Sequence, residues 1–325
     1  MMRLPSFQYR APRTVAEAAA SLAENPGETM LLGGGTDLLP NMKRRQQTPR
    51  TVIGLRWVRE LREIHNGRGL TIGAGATLTQ VIGDPRVRES YAGLVQAASQ
   101  VATPHLRNMG TIGGNLCLDT RCTYYDQTYD WRKSIGFCMK KDGATCWVAT
   151  SSPKCLAVSS TDTAPMLQAL GATVTLVSAR GARELPVAEL FANDGMHYLT
   201  RQPDEILTTI TLPPSDGWRS AYRKLRRRGS FDFPVAAAAV AAKFDGPEIV
   251  DIRIVLGAVA SRPLASDAAA AVLRGRRPTD DLIAEAAAAA GDIAKPMDNT
   301  DFELVWRKMM ARTLVRDALN DIRKS

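Results

Sequence analysis

The stretch that decides the fold is LLGGGTDLLPNMKRR, from Leu31 to Arg45. Three consecutive glycines follow a short apolar run, and a Thr-Asp pair precedes a second apolar run. A glycine run lets the backbone approach a ligand without Cβ atoms in the way, and successive N–H groups can then point at one anion. Between a strand and a helix, pyrophosphate is the anion that best suits such a loop.

The established phosphate-binding patterns do not fit this loop. A Rossmann loop needs G-x-G-x-x-G, but the chain continues from Gly33 as Gly, Gly, Gly, Thr, Asp, Leu, so the last glycine is missing. A P-loop ends in Gly-Lys-Ser/Thr, which is also absent from the stretch. Taken alone, the glycine run is therefore explained equally well by a tight turn between a strand and a helix.

A second glycine-rich stretch, NMGTIGGN, runs from Asn108 to Asn115, about 75 residues after the first. Its three glycines alternate with the small polar residues Thr111 and Asn115. Two such loops in one domain suit a long dinucleotide that needs support at two places along its length. The pair of loops therefore predicts a dinucleotide site where either loop alone would not.

The composition is that of an ordinary globular protein. The 325 residues suffice for about two or three domains, and the chain is 45% hydrophobic and 23% charged. Its mid-chain apolar run, PVAAAAVAA from Pro234 to Ala242, is far shorter than the roughly 20 residues that span a bilayer. The beginning, MMRLPSFQYRAPR, lacks the apolar segment of a secretory signal. We therefore expect a cytoplasmic protein without a membrane span.

The formal net charge of +9 raises the question of nucleic-acid binding. The basic residues are spread along the chain, with local clusters only at Lys43–Arg45 and Arg223–Arg228. No zinc-finger, RRM or helix-turn-helix pattern accompanies them. Solvated faces or an acidic partner subunit explain the charge better, so we expect no nucleic-acid partner.

The regular elements form three sections. Thr14 and Glu17 have capping-box spacing before an Ala-rich helix, and Thr77 and Gln80 repeat that spacing before another. The stretches TMLLGGG, TVIGL and LTIGAGA are typical of short strands, and SYAGLVQAASQVA of a helix. From about Trp218 onward, two or three strands precede three helices, LASDAAAAVLRG, TDDLIAEAAAAAGDI and a last one predicted to run from Thr300 to about Asn320, with Glu303 completing a capping box.

The five cysteines all lie within residues 117–155, and four of them fall in a segment of different character. An odd count without an export signal argues against a disulfide framework, and the clustering argues for a metal centre. Residues 122–155 also hold six of the 19 aromatic residues and show neither helical nor strand periodicity. The segment is typical of an insertion into a regular domain.

Thiolates are soft ligands, so four of them suit zinc or an iron–sulfur cluster. Successive members of the set are separated by 15, 7 and 8 residues, without the C-x2–4-C knuckles that zinc ribbons use. Long, uneven spacing favours a [4Fe–4S] cubane, with zinc and unliganded thiols as the alternatives. The expected ligands are Cys122, Cys138, Cys146 and Cys155.

The stretches LLGGGTDLLP, ATPHLRNMGTIGGNLC and SSTDTAPMLQALGA together resemble the FAD-binding medium subunits of the xanthine dehydrogenase and CO dehydrogenase family of molybdenum hydroxylases. Their order and spacing match over nearly the whole chain. The resemblance implies an α+β fold: an FAD-binding PCMH (vanillyl-alcohol-oxidase) type domain in two parts, residues 1–56 and 57–216, and a C-terminal α/β domain, residues 217–325, of the CO dehydrogenase flavoprotein type.

The resemblance also implies which residues bind FAD. Backbone N–H groups of the two loops would hold the pyrophosphate and ribityl chain, two threonines would supply hydroxyls, an acidic residue would contact the ribityl hydroxyls, and a basic residue would lie near the flavin ring. The first loop supplies Leu32, Gly33, Gly34, Gly35, Thr36 and Asp37; the second supplies Gly110, Thr111, Gly114 and Asn115; the others are Thr103, Asp162 and Lys224. A helix N-cap is the alternative role for Asp162, and Cys117 is expected to pack near the flavin.

In most members of that family the chain passes from GGNL almost directly into SSTD-like sequence, whereas here about residues 119–156 intervene. An iron–sulfur insertion at this position resembles the 4-hydroxybenzoyl-CoA reductase subfamily. That resemblance implies a subunit with a molybdenum cofactor, a subunit with [2Fe–2S] clusters, a dimer of heterotrimers, and a ferredoxin-like donor that sends electrons inward through [4Fe–4S] and FAD.

The acid and base side chains of the sequence suit an electron-transfer protein and not one that carries catalytic residues. The only histidines are His65, His105 and His197, and none belongs to a nucleophilic or metalloprotease motif. We therefore expect no catalytic residue on this chain, because the chemistry belongs to cofactors and a partner subunit. Three hypotheses remain: an FAD and [4Fe–4S] subunit of an aromatic-CoA reductase, the medium subunit of another hydroxylase for aldehydes, CO or N-heterocycles, and a zinc-binding scaffold.

Overall fold

The first glycine loop lies at the carboxyl edge of a small parallel sheet. The computed structural model describes residues 3–324 and begins with strands β1 (Gln8–Arg10), β2 (Thr29–Leu32) and β3 (Thr51–Gly54), in the order β1-β3-β2. Helix α1 (Val15–Glu24) connects β1 to β2, and α2 (Leu38–Lys43) lies between β2 and β3. Parallel strands require such crossovers, and the loop at residues 33–37 fills the turn from β2 into α2.

The second part is a five-stranded antiparallel sheet covered by helices. The strands lie in the order β4-β5-β8-β6-β7. They are β4 (Ile64–Asn66), β5 (Leu70–Gly73), β6 (Thr173–Ser178), β7 (Gly181–Pro186) and β8 (Ile206–Leu212). The helices between β5 and β6 are α3 (Leu78–Gly83), α4 (Pro85–Ser90), α5 (Ala92–Ser99), α6 (Pro104–Arg107), α7 (Ile112–Leu116), α8 (Tyr129–Ser134) and α9 (Thr163–Leu170). The capping box predicted at Thr77 is confirmed at the start of α3.

The C-terminal part is a four-stranded antiparallel sheet with three helices. Its order is β12-β11-β10-β9. The elements are β9 (Trp218–Leu225), β10 (Ala236–Asp245), β11 (Glu248–Gly257), β12 (Leu264–Ala265), α10 (Asp267–Leu273), α11 (Asp280–Ile293) and α12 (Leu304–Lys324). The predicted α+β class is confirmed, and no helix within residues 3–324 combines the length and apolarity that crossing a membrane requires.

The apolar run PVAAAAVAA is explained by β10, because both faces of this strand are buried. Successive side chains of a strand point to opposite faces. Ala237, Ala239 and Ala241 pack into the core of the second part, whereas Ala236 and Ala238 pack against the C-terminal helices. Small side chains on both faces let β10 pack into both cores. The C-terminal part is thereby fixed against the second part, which contains the second glycine loop.

The last helix begins later than predicted. It starts at Leu304 and extends to Lys324, not from Thr300 to Asn320. Phe302 has a φ of +72°, in the left-handed region, and such a residue cannot lie inside a right-handed helix. The capping-box spacing of Thr300 and Glu303 is therefore coincidental.

Arg307 on α12 is fully buried and fastens the C-terminal part with three hydrogen bonds to backbone carbonyls. Its guanidinium donates to the carbonyl oxygens of Val235 at 3.0 Å, Met297 at 2.7 Å and Ala258 at 2.9 Å. Burial lowers the pKa of Arg307 to about 10. The side chain is therefore still a cation at neutral pH and a charged donor to all three carbonyl oxygens.

We expect Arg307→Met to lower the free energy of unfolding by about 3 kcal/mol or more, because three buried carbonyls lose their donor and each unsatisfied group costs about 1–3 kcal/mol. Thermal or denaturant unfolding of the full chain measures this. Arg312→Met is the matched control on the same helix, since Arg312 pairs with Asp292 at the surface and exposed pairs contribute about 0–1 kcal/mol. Equal effects of the two substitutions would contradict the assignment.

Candidate functional site

Two cavities are lined by residues of both glycine loops. One has a volume of about 530 Å³ and the other of about 460 Å³, both in the range of small-molecule sites. Gly33, Gly34, Thr111 and Gly114 line both of them. A long ligand that crosses the loops at these four residues would therefore enter both cavities.

The first loop offers a run of unpaired backbone donors. Within residues 3–324, the N–H groups of residues 33–37 donate to no backbone or side-chain acceptor. The loop is only half-buried and faces the cavities, and Gly35 takes a φ of +76°, which glycine adopts without strain. Because buried or cavity-facing N–H groups are normally paired, this run is suited to an anionic group.

The second loop is different, since most of its N–H groups are already paired. The Gly110 N–H donates to Leu106 O at 2.7 Å, the Ile112 N–H to Ala76 O at 3.0 Å and the Gly113 N–H to Ala74 O at 2.8 Å. Within the loop, the Gly114 N–H donates to Thr111 Oγ1 at 3.1 Å and the Asn115 N–H to Thr111 O at 2.9 Å. The loop is thus fixed to the strand–helix junction before α3. It forms a rigid wall, and the free donors belong to the first loop.

The glycines of the first loop allow the two loops to touch. A Cβ atom on Gly34 would overlap the carbonyl oxygen of Met109, and one on Gly33 would lie 2.8 Å from Thr111 Oγ1. Real Cβ atoms do not approach neighbours so closely, so any larger residue would push the loops apart. The glycines therefore serve the contact between the loops as well as the access of a ligand.

Asn115 ties the second loop to the start of α9. Its Oδ1 accepts hydrogen bonds from Thr161 Oγ1 at 2.9 Å, from the Thr163 backbone N–H at 3.1 Å and from Thr163 Oγ1 at 2.7 Å. These contacts hold Asp162, the intervening residue, at the wall of the smaller cavity.

Asp162 occupies the N-cap position of α9, as its alternative role requires, but its side chain makes no capping hydrogen bond. Its carboxylate accepts from Tyr222 Oη at 2.9 Å and Lys224 Nζ at 3.0 Å. Burial raises the pKa of Asp162 despite the opposing charge of Lys224, and burial lowers the pKa of Lys224. The pair fixes the orientation of a carboxylate that faces the cavity.

Most of the predicted FAD-binding residues line the cavities, but three do not. The residues brought together are Gly33, Gly34, Gly35, Thr36, Asp37, Gly110, Thr111, Gly114, Asn115 and Asp162. Leu32 packs in the small core beside α2, Lys224 lies behind Asp162, and the Thr103 hydroxyl accepts from the Leu106 N–H as the cap of α6.

Two further lining residues had no signal in the sequence. Tyr198 lines both cavities. Arg121, from the cysteine segment (residues 119–158), lines the smaller one. Tyr198 lies in an irregular stretch after β7, and Arg121 precedes the first cysteine of its segment; neither belongs to a motif. Only the folded chain brings them to the glycine loops.

The cysteine segment is a loop closed at its base by two backbone hydrogen bonds. Arg121 N donates to Val158 O at 2.8 Å, and Val158 N donates to Arg121 O at 2.7 Å. Of the described residues between Arg121 and Val158, only α8 is helical, and turns, bends and irregular backbone make up nearly all of the rest. The irregular structure predicted from the absence of periodicity is confirmed.

The four thiols of the segment are buried and close together. Each cysteine is 4–6% exposed, and Cys122, Cys138 and Cys155 pack in one apolar cluster. Cys146 is near enough to Cys155 to act on its pKa. Burial raises the pKa of Cys122 to about 12 and that of Cys155 to about 11. Without a metal Cys122 and Cys155 are thiols, whereas a bound metal would hold them as thiolates.

Four buried soft donors in one segment fit an iron–sulfur cluster in kind. Within residues 3–324, no group of three or more His, Cys, Asp or Glu side chains lies close enough to hold a single metal ion. Cys117 stands apart: it lines both cavities and packs against the core of the second part. The expected separation between Cys117 and the four other cysteines thus has a geometric basis.

Comparison with known proteins gives two family matches. Residues 5–215 match the FAD binding domain in molybdopterin dehydrogenase, and residues 220–322 match the CO dehydrogenase flavoprotein C-terminal domain. Together they cover most of the chain. The expected fold, an FAD-binding domain followed by a CO dehydrogenase flavoprotein type domain, is confirmed.

Individual relatives support the same family assignment. The aldehyde oxidoreductase FAD-binding subunit PaoB of Escherichia coli K12 is 33% identical over 280 residues, 83% of this chain and 86% of that protein. The carbon monoxide dehydrogenase medium chain of Hydrogenophaga pseudoflava is 29% identical over 320 residues, 97% and 96% of the two chains. A solved structure of that organism's carbon monoxide dehydrogenase matches with a TM-score of 0.82 at 29% identity, over 99% and 98% of the chains. The chain belongs to the FAD-binding medium subunits of the molybdenum hydroxylase family, which includes CO dehydrogenase and xanthine dehydrogenase.

Proposed function

We propose that this chain is an electron-transfer subunit in which FAD lies across the two glycine loops and a [4Fe–4S] cluster lies in the cysteine segment. The observation that carries the proposal is the run of unpaired N–H groups at residues 33–37 between two cavities. Bound FAD supplies exchange of one or two electrons, and a cluster supplies exchange of one. The chain supplies position and insulation.

The FAD-binding residues divide into donors and supports. The N–H groups of residues 33–37 would hold the pyrophosphate, the Thr111 hydroxyl and Asn115 amide group would lie beside it, and Asp162 would contact ribityl hydroxyls. Gly110 and Gly114 give close approach. Lys224 acts through Asp162, and Leu32 and Thr103 support the loops from outside the cavities.

We place the flavin end in the smaller cavity and the adenosine end in the larger one. Asp119, Arg121 and Asp126 of the cysteine segment all line the smaller cavity. Cys122 follows Arg121 directly, so this choice keeps the two redox groups near each other. Electron transfer between FAD and the cluster requires that proximity.

The proposed cluster ligands are Cys122, Cys138, Cys146 and Cys155. All four are buried, and Cys122, Cys138 and Cys155 pack in an apolar cluster with Tyr124 and Tyr125, which supports this set because solvent exclusion and polar contacts tune a cluster's potential. A cubane of four irons is larger than one ion, so its thiolates need not lie within reach of a common centre. The arrangement therefore suits a cluster better than the zinc alternative.

The partners would be a subunit with the molybdenum cofactor and a subunit with [2Fe–2S] clusters, in a cytoplasmic dimer of heterotrimers. The name "medium chain" of the relatives supports a multi-subunit enzyme. Reduced cysteines are typical of the cytoplasm.

Two substrate classes are consistent with this role. Reductive dehydroxylation of 4-hydroxybenzoyl-CoA to benzoyl-CoA, with electrons entering from a ferredoxin-like donor, is supported by the insertion. Oxidation of an aldehyde, with electrons leaving through this chain, is supported by 33% identity to an aldehyde oxidoreductase subunit. The names of other relatives, a carbon monoxide dehydrogenase and a glyceraldehyde dehydrogenase, also support oxidation and not reductive dehydroxylation.

A cofactor count on the purified complex tests the proposal. We expect FAD together with iron and acid-labile sulfide beyond the content of the [2Fe–2S] subunit, whereas zinc without extra iron would contradict the cluster. Turnover of aldehydes with an electron acceptor, against water-eliminating reduction of 4-hydroxybenzoyl-CoA with a low-potential donor, then separates the two substrate classes.

A further inference from the structure

A partly buried ionic contact joins the first glycine loop to the cysteine segment. Arg121, which is 6% exposed, forms an ion pair with Asp37, the residue that ends the run of free N–H groups. Its Nη1 also donates to Asn41 Oδ1 on α2 at 3.2 Å, and Asn41 Nδ2 donates to Asp37 Oδ2 at 3.1 Å. One guanidinium therefore holds both the loop and the helix after it.

The same guanidinium reaches the turn that contains Cys122. Arg121 Nη1 lies 3.6 Å from Asp126 Oδ1, and the Asp126 N–H donates to the Cys122 carbonyl at 2.9 Å. A second tie runs parallel to it, because Gln46, just after α2, donates through Nε2 to Tyr125 O at 2.7 Å. The Cys122 turn and the loop before α2 are thus packed as one unit.

The charges make Arg121 more than a spacer. Asp37 places a carboxylate beside N–H groups that suit an anion, and a bare carboxylate there would repel that anion. Burial raises the pKa of Asp37 although Arg121 acts against it. Removing the buried Arg121 would leave the part-buried Asp37 carboxylate without its counter-charge.

We propose that Arg121 is a positioning residue that neutralises Asp37 and thereby couples the Cys122 turn to FAD binding. The inference rests on the proposed function and deepens it. In addition to holding the cluster, the cysteine segment supplies the positive charge that balances Asp37 in the FAD site. Because coupling between two sites is reciprocal, FAD in turn stabilises the Cys122 turn.

The test uses the full chain in its purified complex and measures the FAD dissociation constant by flavin fluorescence. We expect Arg121→Met to weaken FAD binding about tenfold or more, the usual size of coupling between sites. Arg132→Met is the matched control, since Arg132 is equally buried in the segment but pairs with Asp142 inside it. It should leave FAD affinity unchanged.

A rescue variant separates charge from folding and from direct contact. In the Arg121→Met background, Asp37→Asn removes the uncompensated carboxylate and should restore much of the FAD affinity, and Arg121→Lys should retain most of it. Absence of rescue by Asp37→Asn, or equal losses in Arg121→Met and Arg132→Met, would overturn the inference.

Hydrogen exchange gives a readout that needs no activity. Stripping FAD from the wild-type complex should speed exchange of the amides of Tyr125 and Asp126, while those of α12 stay protected. Unchanged exchange at the Cys122 turn would overturn the coupling. If wild-type complex binds no FAD at all, the proposed function fails; if it binds FAD with an affinity that Arg121→Met leaves unaltered, only this inference fails.

Discussion

Cys138→Ser is expected to remove the cluster's iron and acid-labile sulfide from the purified complex while FAD remains bound at saturating concentration. Cys138 is 5% exposed and packs with Cys122 and Cys155. A serine hydroxyl is a hard, poorly ionised ligand, so it does not replace a thiolate on iron. The glycine loops lie outside the segment, whose base is closed by Arg121 and Val158. Iron and sulfide assays and flavin absorbance measure the two cofactors separately.

Cys117→Ser is the matched control for this experiment. Cys117 ends α7 beside the cavities and lies outside the apolar cluster of the other thiols, so its replacement should leave the iron content unchanged. Loss of iron in Cys117→Ser, or full iron in Cys138→Ser, would show that the ligand set is wrong.

The sequence located both glycine loops, because glycine runs are a local signal. It did not show which of the two loops carries unpaired N–H groups. The N–H groups of Gly113 and Ile112 donate to the carbonyls of Ala74 and Ala76, and such pairing depends on how strand β5 lies against α7. The sequence therefore predicted two donor loops, whereas free donors are concentrated at residues 33–37.

The limits of local pattern are also visible elsewhere. Thr300 and Glu303 have capping-box spacing, but the left-handed backbone of Phe302 starts the helix later. Lys224 donates to the Asp162 carboxylate, 62 residues away in sequence, and no local pattern indicates that pair. Arg121 could not be foreseen, since its partners Asp37 and Asn41 are remote in sequence.

Gly34→Ala is expected to abolish stable FAD binding. The new Cβ would overlap the carbonyl of Met109 and lie 2.9 Å from the backbone N of Gly110. These are backbone atoms of a loop fixed by its own hydrogen bonds, so the first loop must move away. Its free N–H groups would then no longer converge on one anion. Overpacking of this kind also costs about 1–3 kcal/mol of stability. Flavin absorbance after gel filtration and a thermal melt measure both effects.

Gly27→Ala supplies the comparison within the same α/β unit. A Cβ at Gly27 meets nothing within 4 Å, so this variant should retain the FAD content and melting temperature of the wild type. The pair tests the role of backbone contact between the loops and not the general tolerance of glycine to replacement. If Gly34→Ala keeps its full FAD content while melting normally, the loops are not held in the close contact on which the proposed pyrophosphate site depends.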